Sequence, residues 1–274
     1  VSLLLAPVAV ADVLSTLAGQ PVSGNVGSND NVPPGSLFSV VGTPPAGLLF
    51  NADGSFTYTP PVGTTGAVVF SYQVCLPAPN GTVCATASVT LNVNNGTLVA
   101  TADDFSGTAV VPGGSTPSVL DNDTLNGATP PAAAAVSLSL VGAPAGYAIN
   151  ADGTISVPGG TLSGPVTLTY QICEVAAPGN CDSALVTLVV SPAPVSDVVS
   201  TPAGQPVAGN VGSNDNVPVG SLFSVVGTAP AGLVFNADGS FTYSPPLGTT
   251  GAVTFTYQVC LPAPNATVCG TASV

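Results

Sequence analysis

The chain contains no lysine, no arginine and no histidine, and methionine and tryptophan are missing as well. Cationic side chains normally supply around a tenth of a chain, so each partner that needs them is excluded. Phosphate backbones find nothing to pair with, which removes ordinary nucleic-acid binding. Anionic lipid finds no basic patch. Trypsin-like proteases meet no preferred cleavage site. Charged residues make up 5%, against roughly a quarter in ordinary globular proteins. All thirteen are carboxylates and they are scattered, giving a net charge of −13 without an acidic tail. No apolar run is long enough for a membrane helix.

Catalysis has little to draw on. Imidazole and amine are absent, and thiolates are lost if the cysteines pair. Two carboxylates serve a glycosidase, but the Asp residues recur in turns and the only glutamate is Glu174, beside Cys173. The chain is expected not to be an enzyme.

What is present is repetition. Cys75-Leu-Pro-Ala-Pro-Asn80 returns 185 residues later as Cys260-Leu-Pro-Ala-Pro-Asn265, and nearly every residue from Asp12 to Val89 has its counterpart between Asp197 and Val274. A diverged third copy lies between. Tandem copies of one small domain build length or surface rather than an active site. Hydrophobic residues are 45%, punctuated by 32 Gly and 28 Pro. Phe70, Tyr72 and Val74 alternate with polar residues, as do Ala85, Ala87, Val89, Leu91 and Val93, and Leu168, Tyr170 and Ile172. This period predicts half-buried strands of antiparallel sheets. The run Ser55-Phe56-Thr-Tyr58-Thr is another strand, reached through the turn Asn51-Ala-Asp-Gly54 that recurs at Asn150 and Asn236. No helical stripe is found, and Ala132 to Ala135 after Pro130-Pro131 reads as a loop or the start of a strand. About seven short strands in roughly 85 to 95 residues predict a β-sandwich per copy. Short proline-containing linkers such as Ser191-Pro-Ala-Pro194 are expected to restrict bending. Three domains in line would reach on the order of 100 Å.

The cysteines form three close pairs, one per copy: Cys75 and Cys84, Cys173 and Cys181, Cys260 and Cys269. Each pair flanks the loop between two strong strands, so a hairpin-bridging disulfide is expected on the outer side or rim. The implied compartment is oxidising. Zinc is the rival reading, but two Cys per domain without His, at wider than CxxC spacing, do not make a zinc site.

The order of an Ala-Asp opening, an Asn-Asp stretch, Pro-Ala-Gly, Asn-Ala-Asp-Gly-Ser-Phe-Thr-Tyr-Thr-Pro, Gly-Thr-Thr-Gly and Phe-Ser-Tyr-Gln-Val-Cys resembles bacterial Ig-like or cadherin-like tandem repeats of large secreted adhesins and surface filaments. The resemblance covers residues 8–274 and is most specific at Asn51 to Pro60 with Phe70 to Cys75, repeated at Asn236 to Pro245 and Phe255 to Cys260. It implies an all-β fold: three tandem Ig-like/cadherin-like β-sandwich domains in an extended array. Some relatives hold calcium between domains through Asp-rich stretches. The nearest candidates here are Asp103, Asp104, Asp121 and Asp123 of the middle copy; the alternative is that these residues make turns. No other cofactor is implied.

Four Asn-x-Thr sequences, at Asn80, Asn95, Asn122 and Asn265, match a glycosylation acceptor. The opening Val1 to Ala11 lacks a basic flank and matches Val186 to Ser196, so it reads as a strand and not as a secretion signal. A chain that opens on Val1 and holds no methionine is expected to be a segment of a longer or processed protein. The expected organisation is a strand at 1–7 completing a preceding domain, then domains at 8–94, 95–192 and 193–274, the last without the end of its final strand. Val1, Ser2, Leu3, Leu4 and Leu5 align with Val186 to Val190 and form the inter-unit strand. Either these residues are one window of a longer covalent array, or separate subunits exchange strands head to tail.

The leading functional expectation is the structural region of an extracellular, cell-surface fibre, stalk or adhesin. Its partners are copies of itself or adjacent repeats, and a host or matrix surface. The alternative is a carbohydrate- or receptor-binding module using Phe50, Phe56, Tyr58 and Tyr72 as a stacking platform.

Overall fold

Alternating apolar and polar residues fold into strands throughout the computed structural model, which describes residues 4–274. Val1, Ser2 and Leu3 of the expected inter-unit strand lie outside the described residues. The first copy contains β1 (Asp12–Leu17), β2 (Val22–Asn25), β3 (Leu37–Val41), β4 (Leu48–Phe50), β5 (Ser55–Tyr58), β6 (Gly66–Cys75) and β7 (Cys84–Asn94). They form a four-stranded sheet, β1-β7-β6-β3, and a three-stranded sheet, β2-β5-β4. The inward residues are the ones the period-two pattern selects. Phe70, Tyr72 and Val74 of β6, Val89, Leu91 and Val93 of β7, and Phe56 and Tyr58 of β5 are buried in one core cluster. Each such side chain contributes roughly 1.5–3 kcal/mol by leaving water. Phe70 meets Phe50 and Phe56 edge-on at 6.1 and 5.9 Å between ring centroids, the arrangement that the ring quadrupoles favour.

In the first copy one pairing departs from the expected antiparallel pattern, and the middle copy has the same parallel pairing between Asp103 and Val186. β1 runs parallel to β7, from Asp12 opposite Val89 to Leu17 opposite Asn94. The opening strand and the last strand of the domain run in the same direction, and an alternation pattern carries no information on strand polarity.

The middle copy contains β8 (Leu98–Val99), β9 (Asp103–Val110), β10 (Ser115–Ser118), β11 (Thr124–Leu125), β12 (Val136–Val141), β13 (Ala148–Ile149), β14 (Thr154–Ser156), β15 (Gly164–Glu174) and β16 (Cys181–Val190). Its main sheet has the order β12-β15-β16-β9, matching that of the first copy read from the other edge. Ala133–Ala135 is a short 3-10 turn leading into β12. The third copy contains β17 (Val207–Asn210), β18 (Leu222–Val226), β19 (Leu233–Phe235), β20 (Ser240–Tyr243), β21 (Thr256–Cys260) and β22 (Cys269–Ser273), in two sheets ordered β17-β20-β19 and β18-β21-β22. Val211, Phe223, Phe241, Tyr257 and Val259 form its core.

The counterpart of β1 in the third copy, beginning at Asp197, is irregular backbone. In the first copy that strand pairs with Val89 to Asn94. Of those partners the third copy holds only the counterpart of Val89, which is Val274.

By contacts the chain divides into two compact units. One comprises the described residues up to Val99 with Asp123–Ser137 and Ile172–Asp182; the other comprises Ala100–Asn122, Leu138–Gln171 and Ser183–Val274.

Candidate functional site

Each outer copy builds the same polar cluster where its opening segment meets the core. A 3-10 turn, Val26–Ser28, is capped by Asn25, whose side-chain oxygen accepts from Gly27 N–H at 2.8 Å. The turn delivers Asp30 to the opening segment. Val10 N–H donates to Asp30 Oδ1 at 2.7 Å. The Tyr72 hydroxyl, carried inward by β6, lies 2.8 and 3.0 Å from the two Asp30 oxygens and 3.0 Å from the Val10 carbonyl. Asn29 Nδ2 donates to the Ala11 carbonyl, and Val8 bridges to Asn31. The third copy repeats the contacts of Val10, Asp30 and Tyr72 with Val195, Asp215 and Tyr257, while Asn214 Nδ2 donates to the Val195 carbonyl. In the middle copy Tyr170 reaches the Thr101 carbonyl at 3.2 Å.

Asp12 lies next to this cluster. Its Oδ2 is buried without a hydrogen-bond partner, as is Oδ2 of Asp197. Burial, and then the charge of Asp30, push the Asp12 pKa up to about 6. Burial and Asp215 raise Asp197 in the same way. The tyrosine hydroxyls rise too, first by burial and then by the adjoining carboxylate. The chain offers no cationic side chain to relieve the paired acids. The cluster therefore ties an opening segment to its domain and holds Asp12 and Asp197 less acidic than ordinary carboxylates.

The expected calcium ligands do not come together as a set. Asp103 and Asp123 are buried, whereas Asp121 is exposed. Asp104 accepts from Ser106 N–H at 2.9 Å and Thr187 Oγ1 at 3.0 Å, and the Ser106 hydroxyl first, then these two bonds, hold its carboxyl below the usual range. Among the described residues no group of three or more His, Cys, Asp or Glu side chains is placed to hold a metal ion, whereas calcium takes six to eight oxygens.

Cys75 and Cys84 sit directly opposite each other on β6 and β7 and are joined Sγ to Sγ. Cys260 and Cys269 are joined in the same register of β21 and β22, and Cys173 is joined to Cys181. The aromatic platform fails on burial: Phe56, Tyr58 and Tyr72 all lie in the core.

Two features were not selected from sequence. Beyond β22, a groove is bordered by Asp197 to Thr201 on one side and by Thr249 to Thr254 with Val274 on the other. The second feature is Glu174, only 4% exposed. It stands where the outer copies have Leu76 and Leu261, and that substitution in an otherwise repeated pattern is the signal that could have found it.

The sequence profile of the bacterial Ig domain matches residues 5–94 and 191–274. The chain belongs to the bacterial Ig domain family. Tandem Ig-like domains of this kind are typical of extracellular adhesins and fibres, and hairpin disulfides accord with an oxidising exterior. No curated protein matches the chain. Among solved structures, the Drosophila N-cadherin fragment EC1-3 aligns at 8% identity over 96% of each chain, with a TM-score of 0.36. The human desmocollin-1 ectodomain aligns at 13% over 98% of this chain and 61% of its own, at 0.29. An endo-fucoidan hydrolase from glycoside hydrolase family 107 aligns at 16% over 93% of this chain, at 0.28. The bacterial Ig chain spans 41% of that hydrolase. No helix among the described residues is long and apolar enough to cross a membrane.

Proposed function

We propose that the chain is the structural repeat region of an extracellular bacterial fibre, stalk or adhesin, with domains at 8–94, 95–192 and 193–274. The observation that carries this reading is the near-identical pair of bacterial Ig domains, each with its own core and its own hairpin disulfide. Domains so alike offer the same surfaces at intervals along one chain, which suits a spacer better than a reaction. The role is non-catalytic: the domains hold distance under load, and the hairpin bridges resist extension.

The units join head to tail, by covalent tandem repetition or by strand complementation. Leu4 and Leu5, on the segment that aligns with the end of β16, are exposed.

Electron microscopy of the native material tests the reading, with filaments or bundles as the expected result. Separated monomeric rods at high concentration would overturn self-assembly. Denaturing electrophoresis distinguishes the routes: one very large polypeptide indicates the covalent array, and a ladder starting near 26.4 kDa indicates strand exchange.

A further inference from the structure

The chain spends its single glutamate on a joint. Glu174 closes β15, next to Cys173 of the middle hairpin. Its Oε2 accepts from Gly96 N–H at 3.0 Å and from Asn180 Nδ2 at 2.8 Å. Asn180 Nδ2 also reaches the Gly96 carbonyl at 2.9 Å, so both polar groups of Gly96 are held. The next residue is held as well. Thr97 N–H donates to Asn126 Oδ1 at 2.9 Å, and Asn126 N–H donates to the Thr97 carbonyl at 2.8 Å. Gly96 lies in the linker between the first and middle repeats, just beyond β7. Its lack of a side chain gives these partners room, because a Cβ there would come within 3.1 Å of the side-chain ends of Asn126 and Glu174.

The other copies solve this position differently. Counted back from the opening Asp of each repeat, Gly96 falls where the first copy has Leu5 and the third has Val190. Position 174 falls where they have Leu76 and Leu261. Leu5, though largely exposed, borders one pocket with buried Leu76, and Val190 and Leu261 are both buried. The middle repeat has exchanged an apolar pair for a glycine and a carboxylate. A buried carboxylate is costly unless its oxygens are satisfied. Here a linker N–H and an amide both satisfy Oε2, and charge-assisted bonds of this kind are strong.

The same loop also touches the first repeat. The Ala176 carbonyl accepts from Gly63 N–H at 2.9 Å, and Ala177 joins the buried cluster that contains Ala18. We infer that Glu174 is a positioning residue that latches the linker to the middle hairpin and sets the stiffness of the first joint. The latch is a property of the joint alone: a chain that forms no filaments would leave it standing, and a loose joint would leave filament assembly standing.

Hydrogen exchange of the full chain by NMR tests it. Glu174→Leu installs the residue of the sister copies and keeps the hairpin packed. Exchange of the Gly96 amide is then expected to accelerate about tenfold or more, while the amide at position 174, bonded to the Asn180 carbonyl within the hairpin, stays as in the parent. Glu174→Gln retains an acceptor, and Gly96 exchange is expected to stay within about threefold of the parent. Asn180→Ala leaves the acid in place and removes its bridge, and is expected to fall between the two. Unchanged Gly96 exchange in Glu174→Leu overturns the latch. Equal acceleration at Gly96 and at position 174 overturns it too, because Glu174 would then only hold its own hairpin.

Discussion

Single carboxylates show how differently one residue type behaves in this chain. Asp53 lies in an open turn, accepts from Ser55 N–H and Oγ, and is held below the ordinary value; Asp152 and Asp238 repeat this. Asp12 is raised to about 6 from an ordinary 3.8 by burial and Asp30. The two groups have opposite consequences for stability. A raised acid favours the folded state below its unfolded value of 3.8 and loses that contribution as pH rises through about 6. The turn carboxylates stabilise above their unfolded value and fail as pH falls below it. The melting temperature is therefore expected to rise as pH is lowered from 7.5 towards 4 and to drop again below that. Asp12→Asn should flatten the upper limb, and calorimetry across pH reads both. Tyr72→Phe removes the hydroxyl that serves Asp30 and Val10, at an expected cost of about 2 kcal/mol in chemical denaturation, as for other bonds to charged groups.

At the scale of elements, the hairpin of β6 and β7 organises the domain. Its strands supply half of the buried core cluster, and its disulfide closes a separation of nine residues. Cys75→Ser with Cys84→Ser is expected to lose about 2.5 kcal/mol by the chain-entropy estimate. Urea unfolding of the double variant checks it. Gly47 is a second such point. It has φ of +87° and precedes β4, and a Cβ there would fall on the Thr59 carbonyl. Gly47→Ala is expected to destabilise by about 1–3 kcal/mol, since both strain and collision oppose it. Alternation made β5, β6, β7 and β15 legible, because one face of each is buried and the other is wet. The parallel partner of β7 was not legible, since strand polarity leaves no mark in residue type. The Asp30, Tyr72 and Val10 cluster escaped for a related reason: its members are 62 residues apart at the extremes and meet only through folding.

For the whole molecule the charge of −13 matters most, because no internal cation offsets it. Copies repel at neutral pH and low salt, and added salt shortens that repulsion to about 10 Å at 0.1 M. Association measured by sedimentation is expected to grow with ionic strength and as pH approaches the isoelectric value of about 4.1. Weaker association under both conditions would count against assembly through uncharged surfaces. Sheets commonly guard their edges with lysine, and this chain has none.

Repetition, alternation and cysteine spacing determined by themselves that the chain is all-β, tandem and suited to an oxidising exterior, because each is a local pattern that survives without coordinates. Tertiary structure decided the rest: which carboxylates are suppressed, which strand runs parallel, and that Glu174 turns towards a linker. Burial and partnership are properties of distant residues brought together, and a residue's own identity does not carry them.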